Sequence, residues 1–298
     1  MKVILFPAAL LAAQILGLAA TIAAELPNSG KPVAKSQART AVDLVFKTVG
    51  GQPLKLDLYL PEKHSTSSPL VIWIHGGGWR EGTKSGVPIL PFLASGFAVA
   101  SIEYRLSGQA PFPAQIEDVK AAIRWLRAHA NDYGLAAEHF GVIGHSAGAH
   151  LASLAGTTGK GSPFDLGDNL EFSSAVQAVC VMSGPSDFVT MFDGADEHRR
   201  SALVGLLGGS LPEKRKLAEA ASPLSYVQPG LLPFILVHGA DDRVVPVQQA
   251  KSMNRKLEEV GATPRIILLP QTGHDVFARQ QQYVDEVRAF FKANLAKK

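Results

Sequence analysis

Apolar residues in this chain come in short runs separated by longer stretches of helical periodicity. Runs at 42–48, 54–60, 70–75, 97–103, 140–144, 176–182, 233–238 and 265–269 have the length and the Val, Ile, Leu and Phe content of strands. Gly50-Gly51 joins the first two, which reads as a hairpin. Over 114–129, 146–155, 247–260 and 276–296 the apolar positions recur at helical spacing instead. Strands alternating with helices imply an α/β fold, here a mostly parallel eight-stranded sheet flanked by helices. The stretch 185–231 departs from this alternation. It holds two short helical patterns, near 198–207 and 213–221, in an irregular setting, and is expected to form a small cap-like excursion over the sheet.

The N-terminus has a different character. Lys2 precedes an apolar stretch from Val3 to Ala20, interrupted by Pro7 and Gln14, and Ala23-Ala24 stand just before Glu25-Leu26-Pro27. This is the layout of a secretory signal peptide. The competing possibility is an uncleaved anchor, because the stretch approaches the roughly 18 to 20 apolar residues that span a bilayer. Pro7, Gln14 and the small residues at its end favour cleavage. The expected division is a signal peptide at 1–24, a polar linker at 25–39 and one domain at 40–298, giving an exported protein free of the membrane, in the periplasm or outside the cell.

Composition narrows the function. The chain has 298 residues, 46% hydrophobic and 18% charged, which fits a globular domain and excludes a disordered or fibrous one. A net charge of +3 is too weak for a nucleic-acid footprint. The single cysteine, Cys180, rules out an intramolecular disulfide, a Cys-x-x-Cys pair and a thiolate zinc site. It reads as a small buried hydrophobe in an apolar run. The nine histidines form no metal-ligand spacing, so no metal is expected.

Gly144-His145-Ser146-Ala147-Gly148 lies between an apolar run and a helical pattern, the strand, sharp turn and helix that expose a nucleophilic serine. Glycines on either side let strand and helix approach a serine held in strained backbone. The alternative is a Gly-rich loop with an incidental serine. Another strand ends in His75-Gly76-Gly77-Gly78-Trp79, where backbone N–H groups are bare enough to bind a developing oxyanion. Gly77 and Gly78 are assigned to that role, joined by Ala147 at the first turn of the next helix, where the dipole also favours an anion. A phosphate loop is the rival, but no Gly-Lys-Ser/Thr follows.

Two carboxylates, Asp241 and Asp242, follow the run at 233–238, and His274 follows the last run. The order Ser, Asp, His along the chain is that of α/β-hydrolases. Ser146 needs His274 to take its proton, and a buried carboxylate must orient the imidazole. Among the other histidines, His75 and His238 read as braces of strand-end turns and His145 as part of the serine turn. His129, His139 and His198 read as surface residues, and His150 as packing one helical turn beyond Ser146.

These residues resemble the α/β-hydrolase superfamily, in its esterase/lipase branch with His-Gly-Gly-Gly, and are similar to secreted feruloyl-esterase-like hydrolases of BD-FAE type. The likeness spans about residues 42–295. It includes Glu103-Tyr104-Arg105-Leu106, the stretch from Pro113 to Val119, Ser222-Pro223 and Gly273-His274. In that family the acid is the Asp of His-Gly-x-x-Asp-x-x-Val-Pro, which implies Asp242, with Asp241 the runner-up. Ala149 stands where relatives often carry a second glycine. Tyr104, Arg105 and Asp118 read as braces beneath the site.

The residues and the resemblance together imply a cofactor-independent serine esterase acting through an acyl-enzyme on short-chain or carbohydrate-linked esters, acetyl or hydroxycinnamoyl. Trp79 is expected as an apolar wall, with Phe188, Met191 and Phe192 in the acyl pocket. The rivals are an amidase, peptidase or arylformamidase and, from another class, a catalytically silent binding module on the same fold.

Overall fold

The computed structural model describes residues 39–62, 67–193 and 195–296. The expected signal peptide and nearly all of the linker lie outside them. Among the described residues no helix is long and apolar enough to cross a membrane.

The chain opens with the expected hairpin, β1 (Arg39–Val49) and β2 (Gln52–Leu60), turning at Gly50 and Gly51 with φ of 56° and 79°. β3 (Ser68–Ile74) and β4 (Ala98–Ile102) follow. Helices α1 (Ala114–Ala128) and α2 (Ala130–Tyr133) lead to β5 (Leu135–His145). Next come α3 (Ala147–Thr158) and β6 (Ala178–Met182). The excursion contains α4 (Phe188–Phe192), α5 (Glu197–Leu207) and α6 (Leu211–Ala220). The chain then closes with β7 (Phe234–Gly239), α7 (Gln248–Glu259), β8 (Arg265–Leu269) and α8 (Val284–Leu295).

All eight strands join one sheet in the order β1-β2-β4-β3-β5-β6-β7-β8. The pairings are antiparallel up to β2–β4 and parallel from there on. β4, β6 and β7 are buried along their whole length, because a parallel strand is covered on both faces and carries no polar side. Along β3 the side chains alternate between two cores. Leu70, Ile72 and Ile74 belong to the core that α1, α3 and α7 share on one face, while Val71 and Trp73 belong to the core that includes Phe291 and Leu295 of α8 on the other. Cys180 is wholly buried in that second core, as its sequence context implied.

The structure departs from expectation at two boundaries. β5 begins at Leu135, well before the apolar run, and its early part pairs Leu135 with Ser68 while the polar Glu138 and His139 lie partly open to solvent. The C-terminal helical pattern is broken into a 3-10 segment (Val276–Gln282) and α8, with Tyr283 between them at φ −139°. Tyr283 is buried against the second core, which holds the break in place.

Candidate active site

Parallel strands end on one edge of the sheet, and the loops after β3, β5, β7 and β8 therefore gather there. Ser146 sits on the turn between β5 and α3 with φ 55° and ψ −120°, a backbone region that costs a non-glycine residue on the order of 1–3 kcal/mol. The surroundings hold it there. Its N–H donates to Met182 O at 2.9 Å, and its carbonyl accepts from His150 N at 3.0 Å. A Cβ on Gly148 would lie 2.0 Å from Ile74 O, and one on Gly144 would lie 2.3 Å from Gly148, so only glycine lets α3 start this close to the sheet. Ala149 is fully buried, and a Cβ on Gly184 would lie 2.7 Å from its methyl group.

His274, on the loop after β8, approaches Ser146 Oγ through Nε2 at 2.8 Å and Asp242 Oδ2 through Nδ1 at 2.7 Å. An ionised carboxylate only accepts, so Nδ1 carries the proton and Nε2 is left to accept from the serine hydroxyl. Asp242 follows β7 and is 7% exposed, whereas its neighbour Asp241 is exposed and ties its N–H to Thr272 O at 2.9 Å. The second oxygen of Asp242, Oδ1, accepts from Val244 N at 2.8 Å and Val245 N at 2.9 Å. Burial pushes the Asp242 carboxyl up. Hydrogen bonds from His238, His274 and the Val245 amide overcome this and hold it well below the usual carboxylate range.

Histidines around this set fix its parts. His238 Nε2 donates to Val245 O at 2.9 Å and lies 3.3 Å from Asp242 Oδ2, bracing the acid's loop. His75 stacks on Tyr104 with centroids 4.3 Å apart, while the Tyr104 hydroxyl donates to His75 O at 2.9 Å. Arg105 grips Asp118 at 2.7 and 2.8 Å. His150 is fully buried. It accepts from Trp79 Nε1 at 3.1 Å and donates from Nε2 to Ala221 O at 2.7 Å, and burial lowers its pKa to about 4. It thus ties the glycine loop to the end of the excursion.

A cavity of about 290 Å³ opens over Ser146 and His274. Gly77 and Gly78 line it with φ of 107° and 58°. Their N–H groups have no acceptor among the described residues. A Cβ on Gly77 would lie 2.1 Å from Glu81 O, so the loop needs glycine at that point. Ala147 opens α3, where the first amides of a helix lack an intrahelical acceptor.

Trp79 and Met191 line the cavity as the sequence suggested. Phe188 and Phe192 do not, which corrects the expected acyl pocket. Both are packed in the core, and Phe188 stacks on His150 at 4.6 Å and meets Trp79 edge-on at 5.3 Å, supporting that wall from behind. Sequence reasoning missed the contribution of α5, which brings His198, Arg199, Ala202 and Leu203 to the cavity. It also missed Arg80, two residues past Gly78, and Val244, two residues past Asp242. The adjacency of Arg80 and Val244 to the two motifs was the available signal.

The BD-FAE family model matches residues 56–257. A probable carboxylic ester hydrolase of Mycobacterium tuberculosis, LipM, is 33% identical over 217 residues, covering 70% of this chain and 49% of its own. The chain thus spans about half the length of the curated relatives it matches most strongly. Among solved structures, a truncated carbohydrate esterase from gut microbiota superposes with a TM-score of 0.81 at 29% identity, over 89% of this chain and 99% of that one. A bifunctional GH43-CE protein of Bacteroides eggerthii gives 0.80 at 32% identity, over 86% of this chain and 35% of its own. With the sheet order, the serine turn and the matched residues in agreement, this α/β-hydrolase chain belongs to the BD-FAE family.

Proposed function

We propose that the protein is a serine esterase that cleaves carboxylic esters through an acyl-enzyme. The observation that carries this is the continuous line from Ser146 Oγ to His274 Nε2 at 2.8 Å and from His274 Nδ1 to Asp242 at 2.7 Å, opening into a cavity. Ser146 Oγ attacks the ester carbonyl as His274 takes its proton, and Asp242 stabilises the imidazolium. The charge that develops on the carbonyl oxygen is met by the free amides of Gly77, Gly78 and Ala147. One such donor is worth on the order of 10² to 10³ in rate. His274 then protonates the departing alcohol, and water releases the acyl group by the same steps in reverse.

The cavity volume of about 290 Å³ suits a short acyl group or one aromatic ring. The gut carbohydrate esterase and the GH43-CE protein support an alcohol side drawn from carbohydrate. The N-terminal segment supports export of the mature enzyme.

Intact-mass labelling with a fluorophosphonate, in wild type and Ser146→Ala, tests the nucleophile. A panel of acetyl, butyryl, feruloyl and anilide substrates tests the bond. Labelling that needs Ser146, with esters cleaved faster than the anilide, is expected. A wild type that stays unlabelled overturns the proposal.

A further inference from the structure

The cavity over Ser146 joins an apolar lining, supplied by Met191, Ala202, Leu203 and Val244, to two guanidinium groups, Arg80 and Arg199. Arg80 follows the three glycines after Trp79. Its N–H donates to Gly77 O at 3.1 Å, and a Cβ on Gly78 would lie 3.7 Å from Arg80 Nε. Arg199 enters from α5, with Nη2 donating to Arg243 O at 3.1 Å. Arg80 Nη2 lies 3.0 Å from Nε2 of His198. Neither guanidinium forms an ion pair with a carboxylate of the described residues. Asp196, the nearby helix cap, accepts from Arg199 N at 2.8 Å, and Glu81 is the one carboxylate residue in the cavity lining and is exposed.

Arg199 Nε is shut off from water and has no acceptor. Five side-chain atoms among the described residues share that condition, and Arg199 Nε alone belongs to a residue lining the cavity. A buried donor left without a partner costs on the order of 1–3 kcal/mol, and a water-sized group does not reach Nε where the side chain stands, so a substrate acceptor satisfies it only as the guanidinium turns into the cavity. A guanidinium meets a carboxylate through two parallel N–H···O bonds. Nη1 is unspent on both Arg80 and Arg199 among the described residues, and Nη2 beside it carries two protons, so the Nη1–Nη2 edge is the one that faces a carboxylate.

From this we infer that the cavity takes an ester carrying a carboxylate close to the scissile bond, held by Arg199 and Arg80. The inference rests on the esterase reading above and narrows its substrate class. The anion sits either on the acyl side, as in the half-ester of a dicarboxylic acid, or on the alcohol side, as in an O-acetylated uronic acid. The bond broken and the proton path are those already described.

Matched substrate pairs test it: an aryl hemisuccinate against the same aryl ester of monomethyl succinate, and an acetylated uronic acid against its methyl ester. In at least one pair, kcat/KM for the anionic member is expected to be higher by about tenfold or more, the size of one charge-assisted hydrogen bond. The pair that shows it identifies the side of the ester. The preference shrinks with added salt, because the cavity is open to solvent. In Arg199→Gln and in Arg80→Gln it falls, chiefly through KM. Each ratio is measured within one variant, so a reduced folded fraction cancels. If wild type cleaves neutral esters with no anionic preference in either pair, the carboxylate site is overturned and ester hydrolysis stands. If the preference persists in the double variant, the site is likewise overturned. If no member of any pair is cleaved, both readings fall together.

Discussion

His145 Nε2 donates to the carbonyl oxygen of His274 at 2.9 Å, so the residue before Ser146 holds the backbone of the histidine that reaches its hydroxyl. Ser183 Oγ reaches the same carbonyl at 3.3 Å. Losing the imidazole frees the His274 loop by one partly buried hydrogen bond. His145→Ala is therefore expected to lower kcat by about tenfold with a smaller change in KM. Steady-state kinetics on an acetyl ester check this, and an unchanged kcat would remove the positioning role.

Asp242 and Asp241 are neighbours with opposite surroundings. Asp242 is buried and bonded to His274, while Asp241 is exposed. Asp242→Asn is expected to lower kcat by about 10³ to 10⁴, because an amide in that place favours the wrong imidazole tautomer. Asp241→Asn is expected to stay within about threefold of wild type, as surface changes do. Equal losses in the two variants would refute the assignment of the acid.

Stability should fall on acidification in a defined window. Burial lowers the pKa of His145 and of His150 from 6.5 to about 4. Above pH 6.5 both stay neutral whether the chain is folded or not. Below it the unfolded chain takes up protons that the folded chain refuses until near pH 4. Stability is thus lost through that interval, by about 1.4 kcal/mol per pH unit for each histidine. Asp242, held below its ordinary range, extends the loss at lower pH. Urea midpoints between pH 7 and pH 4.5 measure the slope, and His150→Gln is expected to reduce it. A flat wild-type profile would contradict the burial account.

The start of α3 leaves no room for a methyl group at Gly148, where a Cβ would meet Ile74 O at 2.0 Å. Gly148→Ala is expected to cost about 3 kcal/mol or more, a drop of about 5–10 °C in Tm. Calorimetry decides it, and a Tm within a degree of wild type would show that the helix shifts freely.

Met191 lines the cavity and Phe192 does not. Met191→Ala is expected to move the acyl preference toward longer chains, read as the butyryl-to-acetyl ratio. Phe192→Ala is expected to leave that ratio alone and destabilise the fold by about 3–5 kcal/mol, as a truncated core aromatic does. The reverse pattern would exchange their roles.

What the sequence made legible follows from what each element must satisfy locally. β4, β6 and β7 show as continuous apolar runs because both faces are covered. Ser146, Asp242 and His274 could be placed because each lies on the loop after a strand whose end the sheet fixes. The early part of β5 was hidden by Glu138 and His139, which a half-open strand end tolerates. The break at Tyr283 was hidden because a buried tyrosine there fits the helical period equally well. Phe188 and Phe192 lie four apart and share a face of α4, and no periodicity over five residues tells which face meets a cavity. Arg199 carries no motif at all; only the docking of α5 over the site gives it a role.

The excursion leaves the sheet after β6 and returns at β7, two strands hydrogen-bonded side by side. Met191, His198, Arg199, Ala202 and Leu203 all belong to it, while Ser146, Asp242 and His274 lie outside. The excursion thus supplies one contiguous share of the cavity wall, while Trp79, Arg80 and Val244 supply more of it from the loops that also carry the glycines and Asp242. That share can be exchanged between fixed strand ends as a single cassette, leaving the loops of Ser146, Asp242 and His274 as they are.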